Sequence, residues 1–260
     1  MSRSNPETIL QNPAVRFFEW KGDTGELKYY DREKEENVIV ATPFRFLVLD
    51  NVAQVGGGIK KHNEYVGYFS NAVRVRNIKT HPLVVKSKSN GHVSVEAEGV
   101  WEHIKGTLQG AKFIQGLYIG FFDGDKLTIG YLKLKGAANS AWIDFNKTIN
   151  RRDICAGAYT IKGRSEEKQN GNTTYYEPVF SWTEQVKPET EQAALDLDVE
   201  LQKYLTAYFA QQALVEPSEP EYSGESFDDI EERKAIAASA GNASTWKAAE
   251  FVDDSDSIPF

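Results

Sequence analysis

The chain has 260 residues, enough for one large domain or two small ones, and 40% hydrophobic and 12% aromatic content points to a largely folded protein. Its one cysteine, Cys155, excludes an intrachain disulfide. No apolar stretch nears the ~20 residues of a membrane-spanning helix, and the opening Met-Ser-Arg-Ser-Asn-Pro lacks the apolar run of a secretory signal, so the expectation is a soluble protein of a reducing cytoplasm.

Taken in chain order, residues 1–187 read as mainly β. Short β-prone runs occupy 38–40 and 44–49. Gly56-Gly57-Gly58-Ile-Lys60-Lys61-His62 reads as a glycine-rich basic loop, followed by Tyr65, Tyr68 and Phe69. It lacks the Lys-Ser/Thr ending of a nucleotide-binding P-loop, which argues against an NTPase. Residues 73–78 alternate, placing Arg74 and Arg76 on one strand face. Lys86 and Lys88 read as part of a polar loop. After the Asn90-Gly91 turn signal, Val93, Val95 and Ala97 alternate with Ser94, Glu96 and Glu98.

Segments 113–122 and 126–135 flank Asp123-Gly124, a strong hairpin signal, and Lys133 and Lys135 project from one face of the second. Residues 136–150 carry Ala137, Ala138, Ala141, Trp142 and Phe145 at helical spacing, a helix expected to plug or flank the sheet. Arg151 and Arg152 follow it. Segments 154–163 and 174–183 read as a second hairpin around a polar loop, with Lys162 and Arg164 ending one strand and Tyr175 and Tyr176 in the other.

Residues 188–215 form an amphipathic helix whose apolar positions are Ala194, Leu197, Leu201, Leu205, Tyr208 and Phe209, expected to pack on the body or at a subunit interface. Pro188 suits its first turn, and Glu189 and Glu191 suit the positive end of its dipole. Residues 216–260 are acidic and poor in bulky apolar side chains, the composition of a disordered tail.

Charge divides unevenly along the chain. Residues 1–188 carry +5, residues 189–215 carry −4 and residues 216–260 carry −9. A mildly basic body with an acidic tail is the layout of a polyanion binder. Non-specific binding of single strands needs cations along the backbone path and exposed aromatic faces on which bases stack. The candidates are Lys60, Lys61, Tyr65, Tyr68, Arg74, Arg76, Lys86, Lys88, Lys133, Lys135, Arg151, Arg152, Lys162, Arg164, Tyr175 and Tyr176. Trp101 and Trp142, amid apolar neighbours, belong to the core.

Enzymatic readings find little footing. The four histidines lack metal-finger spacing, no Gly-x-Ser-x-Gly elbow is present, and the Asp123-Gly124 turn accounts for Asp123 and Asp125 without a metal. The expectation is a protein without catalytic activity, metal or cofactor.

The chain ends Asp253-Asp254-Ser255-Asp256-Ser257-Ile258-Pro259-Phe260. This peptide resembles the acidic tip, ending Ile-Pro-Phe, of bacterial single-stranded DNA-binding proteins. The body more resembles the single-stranded DNA-binding proteins of bacteriophages, which join a divergent OB-fold, a C-terminal helix and an acidic tail. The specific part of the resemblance covers only the eight-residue tip. It implies a mainly β, α+β architecture: an elaborated OB-fold-like β-barrel with a C-terminal amphipathic helix and an acidic tail, in the cytoplasm of a bacterial host. It also implies a protein that coats single-stranded DNA during replication, recombination and repair. Asp253, Asp254, Asp256, Ile258, Pro259 and Phe260 would then recruit partner proteins. The Phe260 ring offers apolar area to a pocket, and its carboxylate suits a basic residue or a nest of N–H groups. The alternative is an interaction protein that mimics that tip to capture the host protein's partners without touching DNA.

Overall fold

Alternating apolar side chains build most of this chain into one large sheet. The computed structural model describes residues 11–61, 64–89, 91–149 and 153–214. The N-terminal meander is β1 (Arg16–Lys21), β2 (Glu26–Asp31) and β3 (Glu36–Ile39). The long β4 (Phe44–Lys61) follows, then β5 (Glu64–Ser70), β6 (Val73–Arg74), β7 (Leu83–Ser89) and β8 (His92–Gly99). After the short α1 (Trp101–Ile104) come the hairpin β9 (Ala111–Asp123) and β10 (Lys126–Lys135), then α2 (Ala137–Thr148). Next are β11 (Ala158–Arg164), a small hairpin of β12 (Lys168–Asn170) and β13 (Thr173–Tyr175), β14 (Pro178–Thr183) and α3 (Pro188–Leu214).

The strands run in the order β3-β2-β1-β10-β9-β4-β5-β7-β8, with β11 between the first part of β4 and β14. All pairings in this sheet are antiparallel except β1 with β10. The architecture is mainly β in the α+β class, as expected. Among the described residues, no helix is long and apolar enough to cross a membrane.

Because β4 is so long, its two halves serve different cores. The first half, with β9, β10, β11 and β14, encloses Phe46, Val48, Leu117, Ile119, Leu132, Tyr159 and Phe180. The expected helix over 136–150 is α2, and it plugs this core: Trp142 is buried, with its ring 4.7 Å from that of Tyr159 and 5.2 Å from that of Phe180. The second half of β4 leaves this body and carries β5, β7 and β8 as an arm. The inner face of the arm buries Val55, Tyr68, Leu83 and Val85 against Ile104 and Leu108, with Trp101 packed beside them.

The amphipathic helix expected over 188–215 is α3, and it packs back on the sheet. Leu201 and Leu205 are buried against Val52, Tyr118, Ile129 and Tyr131. Polar contacts fix its register. Gln202 donates through Nε2 to Asp50, and the backbone N–H of Ala72 donates to the Tyr208 hydroxyl at 3.0 Å.

Two local expectations change. Residues 73–78 do not continue as a strand: β6 ends at Arg74 and a 3-10 turn covers Val75–Asn77, because the chain must bend to bury Ile78 with Val73 under the arm. In β8 a bulge at Glu96 breaks the Val93-Val95-Ala97 alternation. Ala97 therefore packs on the inner cluster, whereas Val93 and Val95 face solvent at 54% and 59% exposure.

Candidate nucleic-acid interface

Directly paired residues on neighbouring strands share a sheet face, so the registers of the arm specify its outer surface. One row of cross-strand partners runs Lys112, Gly56, Phe69, Lys86 and Val95. The next runs Gly58, Gly67, Lys88 and Val93, and the last pairs Lys60 with Tyr65. This face is about 19 Å wide across its five strands. Lys60, Lys88 and Lys112 are exposed, and Lys86 is half-buried. No ion pair engages these four lysines among the described residues. A carboxylate, Glu98, shares the arm's outer face, opposite Val84 at the far end of β7.

The glycines shape this surface. The run Gly56-Gly57-Gly58 is not a phosphate-cradling loop but the interior of β4, held there by close packing. Gly57 takes φ +104° and approaches the Gly110 carbonyl, where a Cβ would lie 2.8 Å from the oxygen. A Cβ on Gly58 would lie 2.5 Å from the ring and hydroxyl of Tyr65. The Tyr65 ring therefore lies across Gly58 and beside Gly67, and the residue remains 61% exposed. Phe69, 42% exposed, stands on the same face of the same strand, on the far side of Gly67. Two aromatic side chains thus stand among four cations on one sheet face.

The candidates named from sequence divide by environment. Lys60, Tyr65, Lys86 and Lys88 come together on the arm. Lys86 and Lys88 lie in strand β7 rather than in a loop, paired with β5 and β8. Lys61 ends β4. Tyr68 is a correction: its alternation with Phe69 turns it inward, where it is 7% exposed in the arm core. Arg74 is another, because it pairs with Asp50, donates to Gln202 Oε1 at 2.9 Å and sits over the Phe209 ring at 5.3 Å. It therefore clamps α3 to the sheet. Arg76 is exposed on the 3-10 turn and does not share a strand face with Arg74.

Lys133 and Lys135 do project from one face of β10, which continues the outer face of the arm through Ile114 and Gly116. Lys135 pairs with Glu19, which also takes Lys21 at 2.6 Å. Partial burial alone would raise the Glu19 carboxyl, but hydrogen bonds from Lys135 and Lys21, with their charges, outweigh it and hold the group below the usual carboxylate range.

Lys162, Arg164, Tyr175 and Tyr176 occupy a different region. Lys162 and Arg164 belong to β11, which pairs with the first part of β4. Residues 45 and 58 of β4 lie about 40 Å apart along an extended strand, so this group is remote from the arm. Arg164 packs over the Tyr176 ring at 4.6 Å and donates to the Thr24 carbonyl at 3.1 Å. Tyr176 donates its hydroxyl to Glu167, and its carbonyl accepts from Trp20 Nε1 at 2.9 Å. These contacts join β1 and the β1–β2 turn to the segment just before β14. Arg151 and Arg152 lie outside the described residues, as do the tail over 216–260 and its tip residues Asp253, Asp254, Asp256, Ile258, Pro259 and Phe260.

Lys112, Phe69, Val93 and Val95 belong to this surface but are not among the candidates the sequence marks. Lys112 stands alone in its sequence neighbourhood and joins the others only through the β4–β9 register. Comparison of the chain with protein-family models, with curated proteins and with solved structures finds no match.

Proposed function

We propose that the protein binds single-stranded DNA on the outer face of the arm and serves to coat exposed strands during replication, recombination and repair. The observation that carries this reading is the group of Lys60, Lys86, Lys88 and Lys112 on one sheet face, set among Tyr65 and Phe69 on a surface flattened by Gly56, Gly58 and Gly67. These lysines, which form no ion pair among the described residues, supply phosphate contacts. The aromatic side chains offer the sequence-tolerant stacking that single-strand binders use. A duplex, with its bases stacked inside, gains nothing from those rings.

The strand order supports an OB-type barrel as the body. Strands β4, β9, β10, β11 and β14 follow the order β10-β9-β4-β11-β14, with α2 between the third and fourth in sequence. On this reading β1 to β3 are an N-terminal elaboration, and the arm fills the connection between the first and second barrel strands. OB-folds bind oligonucleotides on the face of their second and third strands and on the loops between strands 1 and 2 and between strands 4 and 5. On this reading Lys112 of β9 and Lys133 of β10 continue the same path.

The tip, Asp253 to Phe260, is proposed as the recruiting element for replication and repair enzymes, on its resemblance and its chemistry. Titration of a single-stranded oligonucleotide against intrinsic fluorescence, with a duplex of equal length in parallel, tests the binding proposal. Single strand should bind in preference to duplex, with affinity falling steeply as salt rises. Absence of single-strand binding at low salt contradicts it.

A further inference from the structure

Strand β8 ends the arm, and among the described residues only β7 pairs with it. A long open edge with apolar side chains is a template for pairing with another strand. Among the described residues, the edge strands β3 and β14 of the same sheet are protected. β3 has four residues beginning at Glu36 and follows the charged run Arg32-Glu33-Lys34-Glu35. β14 begins with Pro178, which has no N–H to donate. β8 has eight residues and no proline, and it exposes Val93 and Val95.

The sequence of β8 is complementary to itself. Antiparallel pairing of two copies about Ser94 sets Val93 of each copy opposite Val95 of the other, both on the outer face. It sets His92 opposite Glu96, and Ser94 opposite Ser94. The paired stretch, 92–96, reaches the bulge at Glu96, beyond which the strand bends away. A one-residue shift of the dyad to Val95 would keep one apolar pair, Val95 with Val95, but would set Ser94 against Glu96 and Val93 against Ala97, which the bulge turns to the other face, so one of the two Val93–Val95 matches is not replaced. We infer that the β8 edge is a self-association surface, joining two copies of this chain into a symmetric dimer through an antiparallel β8–β8 ladder centred on Ser94.

The dimer's two arms form one continuous sheet. The outer faces with Tyr65, Phe69, Lys86 and Lys88 then lie to either side of a central Val93–Val95 cluster. The inference rests on the edge and its sequence, and stands whether or not that face binds DNA.

Cysteine crosslinking in the full-length chain tests it. Facing residues of an antiparallel pair have Cα atoms about 4.5–5.5 Å apart, within disulfide range. With Cys155→Ser as background, Ser94→Cys should give a covalent dimer as the main product of mild oxidation. Lys126→Cys, exposed at the start of β10, should give only collisional background. The native chain should show a concentration-dependent dimer in sedimentation, and Val93→Lys with Val95→Lys, checked for an unchanged melting temperature, should remove it. Crosslinking of Ser94→Cys no stronger than that of Lys126→Cys overturns the proposal. So does a sedimentation dimer that persists in the double-lysine variant.

Discussion

Tyr65 and Tyr68, three residues apart on one strand, have opposite environments and so opposite expected phenotypes. Tyr65→Ala removes an exposed ring lying on Gly58. It should weaken single-strand affinity about 5- to 150-fold, the loss of about 1–3 kcal/mol of stacking, with little change in thermal stability. Tyr68→Ala opens a cavity in the arm core and should cost about 3 kcal/mol of stability in denaturant unfolding. Arg74→Ala strands Asp50 against α3 and should destabilise by about 2–4 kcal/mol, while Arg74→Leu with Asp50→Leu should recover most of that. Cys155 is exposed as a residue, but its thiol turns onto the Leu49 carbonyl. Partial burial, with the carboxylates of Asp153, Asp50 and Asp198 nearby, pushes its pKa up to about 12. Exchange of the thiol with a chromogenic disulfide at pH 8 should therefore run at least about tenfold slower than for free cysteine, read from the release of the coloured thiolate.

At the scale of elements, one hairpin and two helices were legible in the sequence because each has a local signal. The Asp123-Gly124 turn, the Trp142 helix and the Leu197-Leu201-Leu205 stripe all reappear as β9–β10, α2 and α3. The β1–β2 and β12–β13 hairpins and the one-turn α1 were not read. At the candidate interface, what escaped was non-local. Nothing near Gly57 in sequence announces that Gly110 crowds it, and the bulge at Glu96 that turns Val93 and Val95 outward depends on the pairing with β7. The candidate interface was legible in part for the same reason. Lys60, Tyr65, Lys86 and Lys88 were visible as basic and aromatic residues, but Arg74 shares that composition and its partners, Asp50 and Gln202, are distant in sequence. Helix α3 covers the sheet beside the arm. Leu201→Ala and Leu205→Ala should each cost about 2–5 kcal/mol, because both fill a closed seam over Tyr118 and Tyr131.

For the whole molecule, charge governs the response to pH and salt. Glu19 titrates below the ordinary carboxylate range in the folded state, so its pairs stabilise the fold above the unfolded value of about 4.3 and lose that contribution as pH falls through the native one. Glu19→Gln should accordingly flatten the acid limb of the stability profile below about pH 4.3. Salt acts on binding. Each phosphate contact to a single strand contributes about −0.7 to the slope of log affinity against log salt, so the four arm lysines together account for about −3. The decisive measurement is that slope for the native chain and for a variant with Lys60, Lys86, Lys88 and Lys112 all changed to Gln. Binding on the arm predicts that single-strand affinity collapses and the slope becomes shallower by about 3 units while the melting temperature holds. A variant that binds single strands with the native affinity and slope would contradict it.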